Sequence, residues 1–160
     1  MNEFLFYSFS ILGDFCLSFN LYTLAPPGDG LLRIFTLMIQ GDAGQMIHVF
    51  LRRKDYKGIA VRYVRTTGTK IDIDTGVSSV TLKKWVNFKI VQYRSEDEGE
   101  YVYKIFVNGE EIFATKFTKV DVNRNLKAYL GHPNKSFQQY KGKIADLYID
   151  GERYGTTTSV

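Results

Sequence analysis

The sequence is poor in residues that staple, chelate or kink a chain. Among 160 residues there is one cysteine, Cys16, so no intrachain disulfide can form. The two histidines, His48 and His132, lie far apart in sequence and no cysteine cluster supports them. A zinc site needs three or four Cys, His or carboxylate ligands, so no metal is expected. With 3 prolines and 14 glycines the chain is not collagen-like. No stretch reaches the roughly 18–20 apolar residues of a membrane span. The opening Met1–Tyr7 has no basic n-region, because Glu3 stands there and the first basic residue is Arg33. Ser8, Ser10, Gly13 and Asp14 break the apolar run, and the segment reads as part of the folded protein.

Charge of one sign is also scarce. The 21 Lys+Arg against 17 Asp+Glu leave a formal charge of +4. Arg52, Arg53, Lys54, Lys57, Arg62, Arg65 and Lys70 gather in one stretch, against Asp55 alone, and Glu96, Asp97, Glu98 and Glu100 form an opposite cluster. Both read first as solvated hairpin surface. A basic face for sulfated glycans or phosphates is the alternative for the first. No recognition motif accompanies it, so nucleic acid is not an expected partner.

What the chain does have is apolar and aromatic residues, 44% and 15% of the total, with 11 Tyr, 12 Phe and 1 Trp. A single domain over 1–160 is expected, since domains usually run to about 100–150 residues. A chain near that size buries roughly 70% of its unfolded surface without needing a disulfide or metal. Tyr and Phe favour strands, and the dominant pattern has period two. Phe15, Leu17, Phe19 and Leu21 share one side of a strand, and Cys16, Ser18, Asn20 and Tyr22 share the other.

After the turn at Ala25–Gly30, strand-like runs recur at Leu32–Ile39, Met46–Arg52, Gly58–Arg65, Lys70–Asp74 and Ser79–Leu82. They continue at Val86–Arg94, Tyr101–Val107, Glu111–Phe117, Leu126–Leu130 and Lys143–Asp150. Turn signals about every 8–12 residues suit a sandwich or barrel. Asn108-Gly109 is a hairpin signal, because a type I′ turn needs positive φ at both central residues. Phe4–Tyr7 and Arg33–Ile39 are apolar on both faces, as covered strands are.

Lys84-Trp85-Val86-Asn87-Phe88-Lys89-Ile90-Val91, with Tyr103 to Gly109, resembles the central hairpin region of the concanavalin A-like sandwich. That superfamily includes laminin-G domains and pentraxins. Leu130-Gly131-His132-Pro133 is similar to a laminin-G turn, and Tyr140–Gly151 is similar to the laminin-G ending. The resemblance is to extracellular domains of invertebrate type. It implies an all-β, antiparallel jelly-roll sandwich, a secreted or extracellular location, and a Trp85 packed inside the sandwich, with a sugar-stacking platform as the alternative for that ring. Two features depart from the pattern. Lys143 stands where laminin-G domains place a disulfide cysteine, and His132–Lys135 replaces the pentraxin calcium-ligand run. Calcium prefers several oxygens with carboxylates among them, so that site is not carried over.

Glu96-x-Glu98-x-Glu100 has the spacing of a glycosidase carboxylate strand. It falls in a polar turn beside Gly99, so no catalytic residue is assigned. The leading expectation is a non-catalytic, lectin-like module recognising a glycan or an extracellular protein. Its expected contacts are Asp42, Gln45, Arg52, Arg53 and Tyr56 in two loops, and His132 and Asn134 in a third. Tyr93, Tyr101 and Tyr103 add rings, which offer an apolar face and a polar tip. Asn134-Lys135-Ser136 is an N-glycosylation sequon, meaningful in a secreted chain. Cys16 is read as a buried thiol on the second strand face, with an interchain disulfide as its functional alternative. No cofactor is expected under this reading. The alternative is a self-assembling subunit, a homo-oligomer holding a pigment or lipid between subunits, with Phe4, Phe6 and Tyr7 at the interface.

Overall fold

A computed structural model describes residues 8–11, 13–24, 32–39, 45–51, 59–64, 70–74, 81–97, 99–118, 123–130 and 142–159. They form strands β1 (Ser8–Ile11), β2 (Phe15–Thr23), β3 (Leu32–Ile39), β4 (Gln45–Leu51), β5 (Ile59–Val64) and β6 (Lys70–Asp74). The series continues with β7 (Trp85–Arg94), β8 (Tyr101–Val107), β9 (Glu110–Phe117), β10 (Asn123–Leu130), β11 (Gly142–Ile149) and β12 (Glu152–Ser159). No described residue is helical.

The strands build two six-stranded antiparallel sheets, ordered β1-β10-β3-β4-β5-β6 and β12-β11-β2-β7-β8-β9. The architecture is an all-β jelly-roll sandwich, all-β as the alternating pattern suggested and a jelly roll as the resemblance implied. β3 lies between β10 and β4, the interior position that its two-faced apolarity requires.

Burial follows the period of two. Along β2, Phe15, Leu17, Phe19, Leu21 and Thr23 are buried while Cys16, Ser18, Asn20 and Tyr22 are half-buried. Val86, Phe88, Ile90 and Gln92 of β7 face the same interior. Ile34, Ile47 and Val49 supply fully buried side chains from the other sheet. Phe19 and Phe88 face each other across the β2–β7 pair, with ring centroids 5.5 Å apart.

Two tight hairpin turns set register on this sheet. Asn108 and Gly109 have φ of 51° and 83°, as a type I′ turn demands. Nothing lies within 4 Å of where a Cβ would project from Gly109, so its constraint is the backbone alone. Gly109→Ala is expected to cost about 1–2 kcal/mol, measured by urea denaturation. Asp150 and Gly151, at φ of 51° and 84°, repeat the turn and lead into β12. That strand was not expected, because Gly155 and a threonine run hide any apolar alternation. The Asp-Gly pair was the available signal.

The strand expected at Ser79–Leu82 is corrected at its described end, where Thr81 is not in a strand and Leu82 and Lys83 form a turn, while Ser79 and Val80 lie outside the described residues. Lys83 takes a left-handed φ of 58°, and its N–H donates to the Thr23 carbonyl at 2.8 Å. That bond commits the segment to a turn at the end of β2. Phe4–Tyr7 lies outside the described residues; β1 begins at Ser8 and pairs with β10 at a sheet edge.

Candidate functional site

The side chains that β2, β7, β8 and β11 turn away from the core make a broad outer face. Directly opposed residues of antiparallel strands share a face, so the register arranges this surface in rows. One row runs Lys143–Tyr22–Trp85 across β11, β2 and β7. The next runs Ala145–Asn20–Asn87, and a third runs Tyr148–Ser18–Lys89–Phe106 into β8.

Trp85 heads this face and is 48% exposed. The expectation of a Trp packed inside the sandwich is therefore corrected. Strand parity is the reason. Val86, Phe88 and Ile90 occupy the inward positions, and a one-residue slip to bury Trp85 would turn all three into water. The indole leans on Tyr22, with ring centroids 5.3 Å apart at an interplanar angle of 53°.

Beside this aromatic pair lies a polar ladder. Asn87 Nδ2 donates to Asn20 Oδ1 at 2.9 Å, and Asn20 Nδ2 donates to Asp146 Oδ2 at 3.1 Å. Asn108 Oδ1 accepts from the Asn87 backbone N–H at 2.9 Å. Asp146 departs from ordinary strand backbone. Its φ is 51°, and the β11–β2 register slips between Ala145 and Tyr148. Among the described residues the other left-handed non-glycine positions, Lys83, Asn108 and Asp150, sit in turns. A bulge inside a strand re-aims a side chain at some cost in backbone energy. Here it delivers a carboxylate to the end of the amide ladder.

A shallow hollow of about 440 Å³ opens at one end of the face, lined by Asp14, Phe15, Cys16, Val91, Gln92, Tyr93 and Asp150. Both acids are engaged with backbone. Asp14 Oδ1 accepts from the Arg94 N–H at 3.0 Å, and Asp150 Oδ1 accepts from the Cys16 N–H at 2.7 Å. Gln92, 1% exposed, donates through Nε2 to the Gly13 carbonyl.

Burial pushes the Cys16 thiol up; Asp150 adds to the rise and Lys89 opposes it. Less thiolate is then present at any given pH. Iodoacetamide should alkylate native Cys16 several-fold more slowly than the urea-unfolded chain at mildly alkaline pH. Its rate–pH curve should be displaced upward. Equal rates for the two states would contradict this placement.

Of the expected contacts, Tyr93 is exposed and lines the hollow, and Tyr101 is half-buried beside Gly13. Tyr103 is a correction. It is fully buried, with its ring edge-on to Phe15 and Phe117 at 6.4 and 6.1 Å, and presents no surface to a ligand. Gln45 opens β4 opposite Met38. Asp42, Arg52, Arg53, Tyr56, His132 and Asn134 lie outside the described residues, as do Phe4, Phe6 and Tyr7. Glu96 and Asp97 are exposed in the β7–β8 loop, closed by Ser95 N–H to Glu100 carbonyl at 2.7 Å. The residues missed by sequence reasoning are Asn20, Tyr22, Asn87 and Asp146, which meet through strand pairing.

Several solved structures share this fold. The receptor-binding domain of botulinum neurotoxin type G superposes with a TM-score of 0.61 at 15% identity, over 88% of this chain and 35% of that one. Domain 4 of an extracellular arabinanase from Geobacillus stearothermophilus, solved with arabinotriose, gives 0.59 at 18% identity, over 98% of this chain and 66% of that one. A heptameric pentraxin from Limulus polyphemus gives 0.57 at 11% identity, over 86% and 64%. The chain thus spans about a third of the toxin domain's length and just under two thirds of the other two. At these identities the likeness is one of fold. No protein-family model and no curated protein matches the sequence.

Proposed function

We propose that this chain is a non-catalytic glycan-recognition module of a secreted or extracellular protein, with a concanavalin A-like sandwich as its scaffold. The observation that carries the reading is the exposed Trp85 ring against half-buried Tyr22, beside the Asn20–Asn87–Asp146 ladder. A sugar ring has an apolar face that suits an aromatic platform, and hydroxyls that suit fixed amide and carboxylate groups. Sites that combine apolar rings with a few placed polar groups are the usual ligand-binding arrangement. The ladder is already hydrogen-bonded within itself, so little ordering is needed on binding. The fold supports the reading too, because the toxin receptor-binding domain and the arabinanase domain solved with arabinotriose offer precedents for a sandwich that binds. An open face of this kind favours weak affinity, with a Kd of about 0.1–1 mM per site, or about 4–5.5 kcal/mol.

The test uses the chain's single tryptophan as its own reporter. Titration with oligosaccharides that score on a glycan array should shift Trp85 emission to the blue as a sugar covers the indole. An array without hits, together with unchanged emission across the saccharides tried, would remove the reading.

A further inference from the structure

The lysines around the aromatic pair narrow the ligand class, and this step rests on the glycan reading above. Lys143 stands directly opposite Tyr22, which stands opposite Trp85. Lys83 and Lys84 immediately precede Trp85 along the chain, in the turn pinned to Thr23 at the end of β2. Lys89 lies two rows further along the face. All four are exposed, and among the described residues none of them makes an ion pair. Lys104 differs, because its ammonium is bound to Glu111 at 2.7 Å. Adjacent strands are about 4.8 Å apart, so the row over β11, β2 and β7 spans about 10 Å. That is close to the length of a disaccharide, with Lys143 at the β11 end, the two rings across β2 and β7, and Lys83 and Lys84 just before Trp85 along the chain.

We infer that the Tyr22–Trp85 face takes an acidic polysaccharide, its rings stacking on the aromatic pair and its carboxylates or sulfates meeting Lys83, Lys84 and Lys143. Single-stranded nucleic acid would also use rings and lysines. It is disfavoured here because the row beside the aromatic pair is the Asn20–Asn87–Asp146 ladder, whose amides and carboxylate suit sugar hydroxyls. The internal nucleotides of a DNA strand have no free hydroxyls to offer it, whereas an acidic saccharide keeps hydroxyls beside its charges.

The experiment titrates the full chain at low salt with length-matched oligomers of galacturonate, sulfated dextran and neutral dextran, and with single-stranded DNA, following Trp85 emission and heat. At least one acidic saccharide should bind tenfold or more tightly than neutral dextran. The two acidic arms separate a carboxylate preference from a sulfate preference. The advantage should vanish in the triple variant Lys83→Gln, Lys84→Gln, Lys143→Gln, and in wild-type protein at about 1 M salt, where screening extends to only about 3 Å. The salt arm decides the matter even if the triple variant folds poorly. Equal binding of neutral dextran with a blue shift would overturn the acidic preference and leave the glycan reading standing. No saccharide binding in any arm would overturn both, and tighter binding of DNA than of either acidic saccharide would overturn this inference alone.

Discussion

Trp85→Ala should lower glycan affinity by tenfold or more while moving the thermal midpoint by only a few degrees. Trp85 is 48% exposed, and its neighbour in the aromatic pair is Tyr22, itself half-buried on the outer face. Full burial of a large apolar side chain contributes about 1.5–3 kcal/mol. A half-exposed one contributes about half of that, which is worth roughly 2–5 °C in a chain of this size. Binding should suffer more. Tryptophan is the residue most often found carrying a recognition surface, and its removal commonly costs 2 kcal/mol or more, which is over tenfold in Kd. Trp85→Phe should retain part of the affinity, since it keeps a ring over Tyr22. Paired calorimetric titrations and thermal melts of wild type and both variants make the check. Unchanged affinity in Trp85→Ala, with the fold intact, would take the outer face out of the site.

How much of this was legible beforehand depended on the distance over which each feature is encoded. Local periodicity was enough for β2, β3 and β6, whose runs need only their own residues to show alternation or two-faced apolarity. The Asn108-Gly109 turn was legible for the same reason, since its constraint spans two residues. The orientation of Trp85 was also encoded locally, in the inward set Val86, Phe88 and Ile90. The resemblance to a sandwich with a buried Trp pointed the other way, and parity is the stronger argument. The ladder is a different case. Asn87 meets Asn20 across 67 residues, and Asn20 meets Asp146 across 126. Nothing in the sequence states that β2 is flanked by β7 and β11, so three unremarkable polar residues in separate runs carried no signal. The left-handed bulge at Asp146 was equally silent, because no glycine marks the site and a lone aspartate, though disfavoured in strands, does not by itself specify a bulge.

The inner face of the same sheet should respond to mutation in the opposite way, and Phe88→Ala measures the difference. With one cysteine, the chain has no intrachain disulfide to constrain its unfolded state, so stability rests on packing between the sheets. Phe88 is fully buried and tilted at 33° against Phe19, which is 1% exposed. Removing a buried phenylalanine takes away its transfer free energy and leaves a cavity, together costing about 3–5 kcal/mol. Domains are held by only about 5–15 kcal/mol in total. The thermal midpoint should therefore fall by roughly 6–20 °C. Phe19→Ala should behave similarly, and the double variant should cost less than the sum, because the second truncation widens a cavity already formed. Phe106→Ala, on the half-buried outer row, provides the control and should cost only about 1 kcal/mol. Circular dichroism melts and urea titrations of the four variants read these values directly. If Phe88→Ala lost no more stability than Phe106→Ala, the assignment of inner and outer faces on β7 and β8 would be wrong, and the outward placement of Trp85 would fall with it.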